Sequence, residues 1–163
     1  MDNLFVPVSG TWRHVSPRLA TVRRIEIGAA AGVVILAGAV LMVLLDDLRW
    51  IGTSVAAVGL VGGAWGWLWA ARNQRSWGYT ENADDLLVTR GVMFKRLVAI
   101  PYGRMQFVDV QAGPLARAFG IATVTLHTAS TETAADIPGL PSDEATRLRN
   151  RLTELGEARG AGL

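Results

Sequence analysis

The chain has no cysteine. Disulfides, thiolate nucleophiles and cysteine-based zinc sites are therefore excluded together, although no compartment is chosen by that fact. Histidine is nearly as scarce, with His14 and His127 the only two in 163 residues. They lie far apart in sequence with no acid at ligand spacing, so neither a metal centre nor a serine–histidine relay has material to be built from. No phosphate-cradling glycine loop of either common type is present, because the glycine clusters fall inside apolar runs. Asp84 and Asp85 are adjacent, but neighbouring strand residues face opposite ways and turns favour aspartate for their own reasons. These absences predict a non-enzymatic protein without cofactor or metal.

A large excess of charge is missing as well. Net charge is only +2, and residues 72–163 carry eleven basic against ten acidic side chains. A nearly neutral soluble part argues against nucleic-acid binding by phosphate neutralisation. Lysine occurs once, at Lys95, against fifteen arginines, a bias that reads as genome composition.

What the chain does have is long apolar sequence. Half of its residues are hydrophobic, and the mean hydropathy of +0.28 suits a small membrane anchor joined to a soluble domain. Residues 27–45 and 51–71 contain no charged side chain. About twenty apolar residues rising about 1.5 Å each cover the roughly 30 Å hydrocarbon core, so each run can span a bilayer as a helix. Ala37-Gly38-Ala39 imitates a signal-peptidase site, yet the charged region before it is too long and the apolar run continues past it. Cleavage is not expected.

Only Asp46-Asp47-Leu48-Arg49-Trp50 separates the runs, which forces an antiparallel hairpin. Arg13, Arg18, Arg23 and Arg24 precede the first span and Arg72 and Arg75 follow the second. The positive-inside rule then predicts an inner-membrane protein with both termini and the soluble part in the cytoplasm. Trp50 at one level and Trp65, Trp67 and Trp69 at the other suit interfacial aromatic belts. Gly28 with Gly32, Gly59 with Gly63, and Gly62 with Gly66 permit close helix approach, within the hairpin or between copies. No ionisable residue lies inside either span, which removes a proton relay or ion path. Ser16-Pro17 marks a helix start. It opens either a short interfacial helix displaying Arg18 and Arg23 or simply the cytoplasmic end of the first span. The expected organisation is a segment at 1–24, a hairpin at 25–72 and a soluble domain at 73–163.

From Trp77 onward the periodicity becomes that of strands, with turns at residues 81–85 and at Arg90-Gly91. In Thr123-Val124-Thr125-Leu126-His127 the valine and leucine point inward and the others face solvent. After Pro141, Ser142 begins a helix whose Ala145, Leu148, Leu152 and Leu155 form an apolar stripe that must cover the sheet. The predicted fold is a small mainly-β, half-open barrel capped by a C-terminal helix, beside a transmembrane hairpin.

Those elements carry a resemblance. The hairpin, the W-x-Y after it, VAIPYGRMQFVDVQAGPLARAFGIATVTLHTAS and IPGLPSDEATRLRNRL together resemble the bacterial pleckstrin-homology family, and within it the YdbS-like membrane proteins. The likeness covers about residues 15–155, and its most specific parts are Ile100-Pro101, Arg104-Met105-Gln106, Val108-Asp109 and the run from Gln111 to Gly120. It implies a PH-like barrel beside a two-helix anchor, and no known activity. On this reading Gly113-Pro114 ends a strand, Leu115 to Phe119 form a helical crossover, and Gly120 frees the backbone to re-enter the sheet. Leu115 and Phe119 are expected to plug the barrel end, with Arg117 outward.

Lipid-binding PH domains place cations around the first hairpin loop, whereas here that loop, residues 81–85, is acidic. Arg90, Lys95, Arg96 and Arg104 remain as a candidate cationic cluster, to which the N-terminal Arg18, Arg23 and Arg24 add. The leading expectation is an interaction module at the cytoplasmic membrane face, whose sheet edge recruits a protein partner or further copies of itself. The alternative is an anionic-lipid sensor at the same surface. Membrane lipids are expected partners in both cases, and nucleic acid in neither.

Overall fold

Two 27-residue helices carry the apolar runs, α1 (Arg18–Leu44) and α2 (Arg49–Arg75), joined by a 3-10 turn at Asp46–Leu48. A computed structural model describes residues 11–44, 46–129 and 134–160 of the chain. The first ten residues of the expected N-terminal segment, and Leu45 at the end of the expected first span, lie outside the described residues. The chain forms two compact units, one of residues 20–72 and one of residues 1–19 with 73–163.

In the helical unit the apolar windows of α1 and α2 are only 6% and 11% buried. Helices this apolar and this uncovered cannot be core helices of a water-soluble protein; their length and exposure suit hydrocarbon. The pair packs closely where side chains vanish. A Cβ on Gly52 would come within 2.6 Å of the Gly38 carbonyl oxygen, and one on Gly63 within 2.8 Å of the Ala31 methyl. Gly59 likewise faces Ile35, and Gly66 faces Ile27, whereas Gly28, Gly32 and Gly62 meet nothing. Within the hairpin, Gly59, Gly63 and Gly66 of the four-residue pairs do make close approaches to the other helix, and Gly38 and Gly52, which that spacing does not select, make the tightest ones. Arg24 lies over the Trp67 ring, 5.1 Å from its centroid. Among the described residues no separate interfacial helix precedes the span; the helix that starts at Arg18 runs unbroken into the apolar run.

Among its described residues the second unit holds seven strands. A short strand β1 (Arg13–His14) joins β2 (Gly78–Glu81), β3 (Asp85–Arg90) and β4 (Arg96–Pro101) in one antiparallel sheet. β5 (Met105–Gln111), β6 (Ile121–Thr128) and β7 (Ala135–Pro141) form the other. The architecture is PH-like, but it is two sheets and not a closed barrel. A five-residue helix, α3 (Pro114–Ala118), crosses between β5 and β6, and α4 (Ser142–Gly160) follows β7. Val124 and Leu126 are fully buried while Thr123, Thr125 and His127 are half-exposed, as the period-two reading predicts. Ala145, Leu148 and Leu152 of α4 are buried with Tyr79, Leu86, Ile100, Tyr102 and Ile137.

Residues 13–19 belong to the β unit. Beyond the β1–β2 pairing, the Ser16 amide donates to the Gly139 carbonyl at 2.9 Å, and Val15 and Leu19 are buried. Gly139 has φ +71°, and a Cβ there would meet that of Leu19 at 2.6 Å, so glycine is what lets this segment lie on β7. A two-residue strand carries too little periodicity to be read from sequence.

Candidate functional site

The most polar cluster forms where α4 begins. Glu144, in the first helical turn, accepts hydrogen bonds from Arg13 at 2.7 Å, the Tyr79 hydroxyl at 2.7 Å and Arg147 at 2.8 Å. The Arg147 hydrogen bonds dominate and hold the Glu144 carboxyl at about 2, while burial pushes Tyr79 up to about 12. Glu144 in turn raises Arg147 above its ordinary range. Glu81 lies between Arg147 and Arg151, 3.1 Å from the latter. A carboxylate held this low is a poor proton acceptor near neutrality, and each charge already faces its opposite. The cluster ties α4 to β1 and β2, and that is its chemistry. Among the described residues no three His, Asp or Glu side chains come together as metal ligands.

A groove of about 350 Å³ runs between β5 and α4, lined by Met105, Gln106, Phe107 and Val108 on one side and Leu152, Thr153, Gly156 and Glu157 on the other. Successive strand residues point to opposite faces. A groove touching four consecutive residues of β5 therefore looks at the edge of the strand. Among the described residues that edge has no strand partner, since β5 pairs there with β6 alone. A register shift at Met105/Phe107 marks the same stretch. Phe107 is 57% exposed and stacks on His127 with ring centroids 4.1 Å apart. Edge strands are read from sequence only as strands, which is why this groove was not legible there.

The candidate cations divide. Arg90 and Arg96 are directly opposite across the β3–β4 pair, with Lys95 just before Arg96. Arg104 closes the 3-10 turn Tyr102–Arg104, beyond the Asp85↔Pro101 end of that pair, and so does not join them. Arg90 lies over the Trp77 ring at 5.7 Å. Arg18 donates to the Phe119 carbonyl at 3.2 Å, whereas Arg23 and Arg24 belong to the helical unit. The β3–β4 turn is also longer than expected. Val92, Met93 and Phe94 are not strand but the tip itself, and Met93 and Phe94 are 86% and 87% exposed. Three apolar residues where a turn calls for polar ones were the available signal.

The Gln111–Gly120 run folds as its punctuation implies, with Gly113 extended before Pro114 at the first helical position and Gly120 at φ +64°. Gln111 donates to Asp109 at 2.7 Å, and Pro101 leads into the 3-10 turn. The plug reading is corrected. No residue of α3 is buried, Leu115 is 39% exposed, and Phe119 is half-exposed. Five residues make little more than one turn, and the buried apolar stripe belongs instead to α4.

Two comparisons bear on this arrangement. A model of the bacterial PH domain matches residues 19–156. The transmembrane protein YdbS of Bacillus subtilis (strain 168) is 30% identical over 146 residues, covering 87% of this chain and 91% of that one. No solved structure matches. The family match takes in both helices and both sheets, and the relative is itself a transmembrane protein. With its two uncovered apolar helices, the chain is a membrane-associated PH-like module, and it belongs to the bacterial PH domain family.

Proposed function

We propose that this protein is a non-enzymatic interaction module that sits at the cytoplasmic membrane face and takes an extended protein segment along β5. The carrying observation is the groove beside the unpaired β5 edge. Main-chain groups of an added strand would pair with β5, and its alternate side chains would meet Phe107 and α4. The anchor assists by holding the module near membrane-bound partners, which raises their effective concentration. The arginine excess on the terminal sides of both spans supports the cytoplasmic orientation. A second reading, contact with anionic lipid, is favoured by Arg90 and Arg96 facing each other beside an apolar tip.

A photocrosslinking residue at Gln106, in the full chain within native membranes, tests the groove. The expected result is a protein adduct that weakens on Phe107→Asp and is absent when the crosslinker replaces exposed Arg149. Adduct mass then distinguishes a second copy from another polypeptide. Equal labelling from positions 106 and 149 would defeat the proposal.

A further inference from the structure

Outside the two apolar helices, Met93 and Phe94 are the most exposed large apolar side chains among the described residues, at 86% and 87%, with Val92 beside them at 40%. Their arrangement is built. Gly91 has φ +112°, and a Cβ there would collide with the Phe94 carbonyl, so the tip folds tightly on itself and turns its side chains outward. The Gly91 amide donates to the Ser76 hydroxyl at 3.3 Å, which fastens the base of the tip. Lys95 and Arg96 follow directly and are exposed, and Arg90 precedes.

The register decides which way this end of the sheet looks along the chain. Gly78, the first residue of β2, pairs with Thr89, next to the tip. Residues 73–77, through which the chain arrives from α2, therefore meet the base of the tip: Arg90 covers Trp77, and Gly91 reaches Ser76. His14 pairs with Gly78, and Gln74 donates to the Val15 carbonyl at 2.9 Å, so residues 13–15 meet residues 73–78 at this end of the sheet. The segment that continues from α2 thus enters the β unit where the tip projects, with the N-terminal segment beside it.

We propose that the β3–β4 tip, Val92-Met93-Phe94, inserts into the interfacial layer of the bilayer that α1 and α2 span, with Arg90, Lys95 and Arg96 against anionic headgroups. Aromatic and apolar side chains ringed by cations are the composition that partitions there. Three residues give weak partition alone, but the covalent anchor keeps the leaflet within constant reach, so weak partition suffices. This deepens the lipid reading by naming the apolar layer as the ligand, and it does not depend on the β5 groove.

The absence of cysteine makes the test clean. Single Met93→Cys and Ala83→Cys variants of the full chain carry an environment-sensitive dye in vesicles of phosphatidylcholine and phosphatidylglycerol, at high lipid-to-protein ratio. Quenching by shallow lipid-attached nitroxides is expected to be about twofold or more stronger at 93 than at 83, with matching protection from an aqueous quencher. Phe94→Asp, or vesicles of phosphatidylcholine alone, should reduce the difference. Equal lipid quenching at both positions would overturn insertion. A dye at 93 that responds to phosphatidylglycerol without lipid quenching would also overturn it, while leaving charge-only lipid sensing intact. Protection from the aqueous quencher without lipid quenching would point to a second copy covering the tip, and would likewise overturn it.

Discussion

The two turns that bracket β3 use opposite chemistry. At residues 82–84 the protein's own groups take up the polar atoms. The Asn82 amide and side chain both bond Asp85, and the Tyr102 hydroxyl donates to the Asn82 carbonyl at 2.9 Å. Arg159 donates to the Ala83 carbonyl at 2.6 Å and to Asp84 at 2.7 Å. At residues 91–95 the Gly91 amide fastens the base to the Ser76 hydroxyl, and three apolar side chains project outward. A turn closed by internal bonds is complete as it stands. A turn ending in Met and Phe leaves apolar surface whose burial must come from outside. One strand six residues long thus joins a finished end to an unfinished one.

The strongest way to break this contrast is to loosen α4, which supplies Arg159 to the closed end. Leu152 is 1% exposed. Leu152→Ala in the full chain should cost about 2–5 kcal/mol of the β unit's stability, the usual range for a deleted core leucine. Chemical unfolding in lipid nanodiscs measures it. Amide exchange should quicken at residues 82–85 and stay unchanged at residues 91–95. Equal quickening at both turns would mean that α4 supports them alike.

Titration sharpens the comparison from the side of the closed turn. Burial raises both tyrosines, Tyr79 and Tyr102, to about 12. The folded protein then keeps two protons that an unfolded chain releases from about pH 10. Stability is accordingly full below about pH 10 and falls as pH rises toward 12. Tyr102→Phe removes half of that alkaline slope, and at neutral pH it leaves the Asn82 carbonyl without its donor, at about 1–3 kcal/mol. Glu144 works in the other direction. With its folded value near 2, its contribution is complete above about 4.5 and is lost as pH falls between those values. An alkaline slope untouched by Tyr102→Phe would remove that hydroxyl from the account of the turn.

Much of this was legible because it rests on period and composition. The helical hairpin, the alternation of β6 and the α4 stripe are local patterns, and the QAGPLARAFG punctuation declares its own backbone. What was not legible depends on partners distant in sequence. β1 exists through pairing with residues 64 positions or more away. The β5 groove depends on which strand ends a sheet, and the Glu144 cluster joins Arg13, Tyr79 and α4 across three elements. The separation of Arg104 from Arg90 and Arg96 required the β4 register. The apolar tip is visible in sequence only as Val92-Met93-Phe94, a run that satisfies a strand pattern as well as an exposed turn.

The smallest expected effect discriminates most finely between two accounts of the closed turn. Arg159 bonds Asp84 and lies over Tyr102, 5.3 Å from the ring centroid, yet the Asp84 side chain is 88% exposed. Ion pairs in such solvent exposure contribute about 0–1 kcal/mol, because water screens both charges and two flexible side chains must be ordered. Arg159→Ala should therefore change global stability by less than about 1 kcal/mol, below the loss from Tyr102→Phe. Local exchange at Ala83 and Asp84 should still rise, because the Ala83 carbonyl loses its donor. Raising salt should reproduce little of that change if the bond to the backbone matters more than the ion pair. A stability loss from Arg159→Ala larger than that from Tyr102→Phe would show that charge closes the turn, and the contrast with the apolar tip would then be one of charge against apolar surface, with the buried hydroxyl secondary.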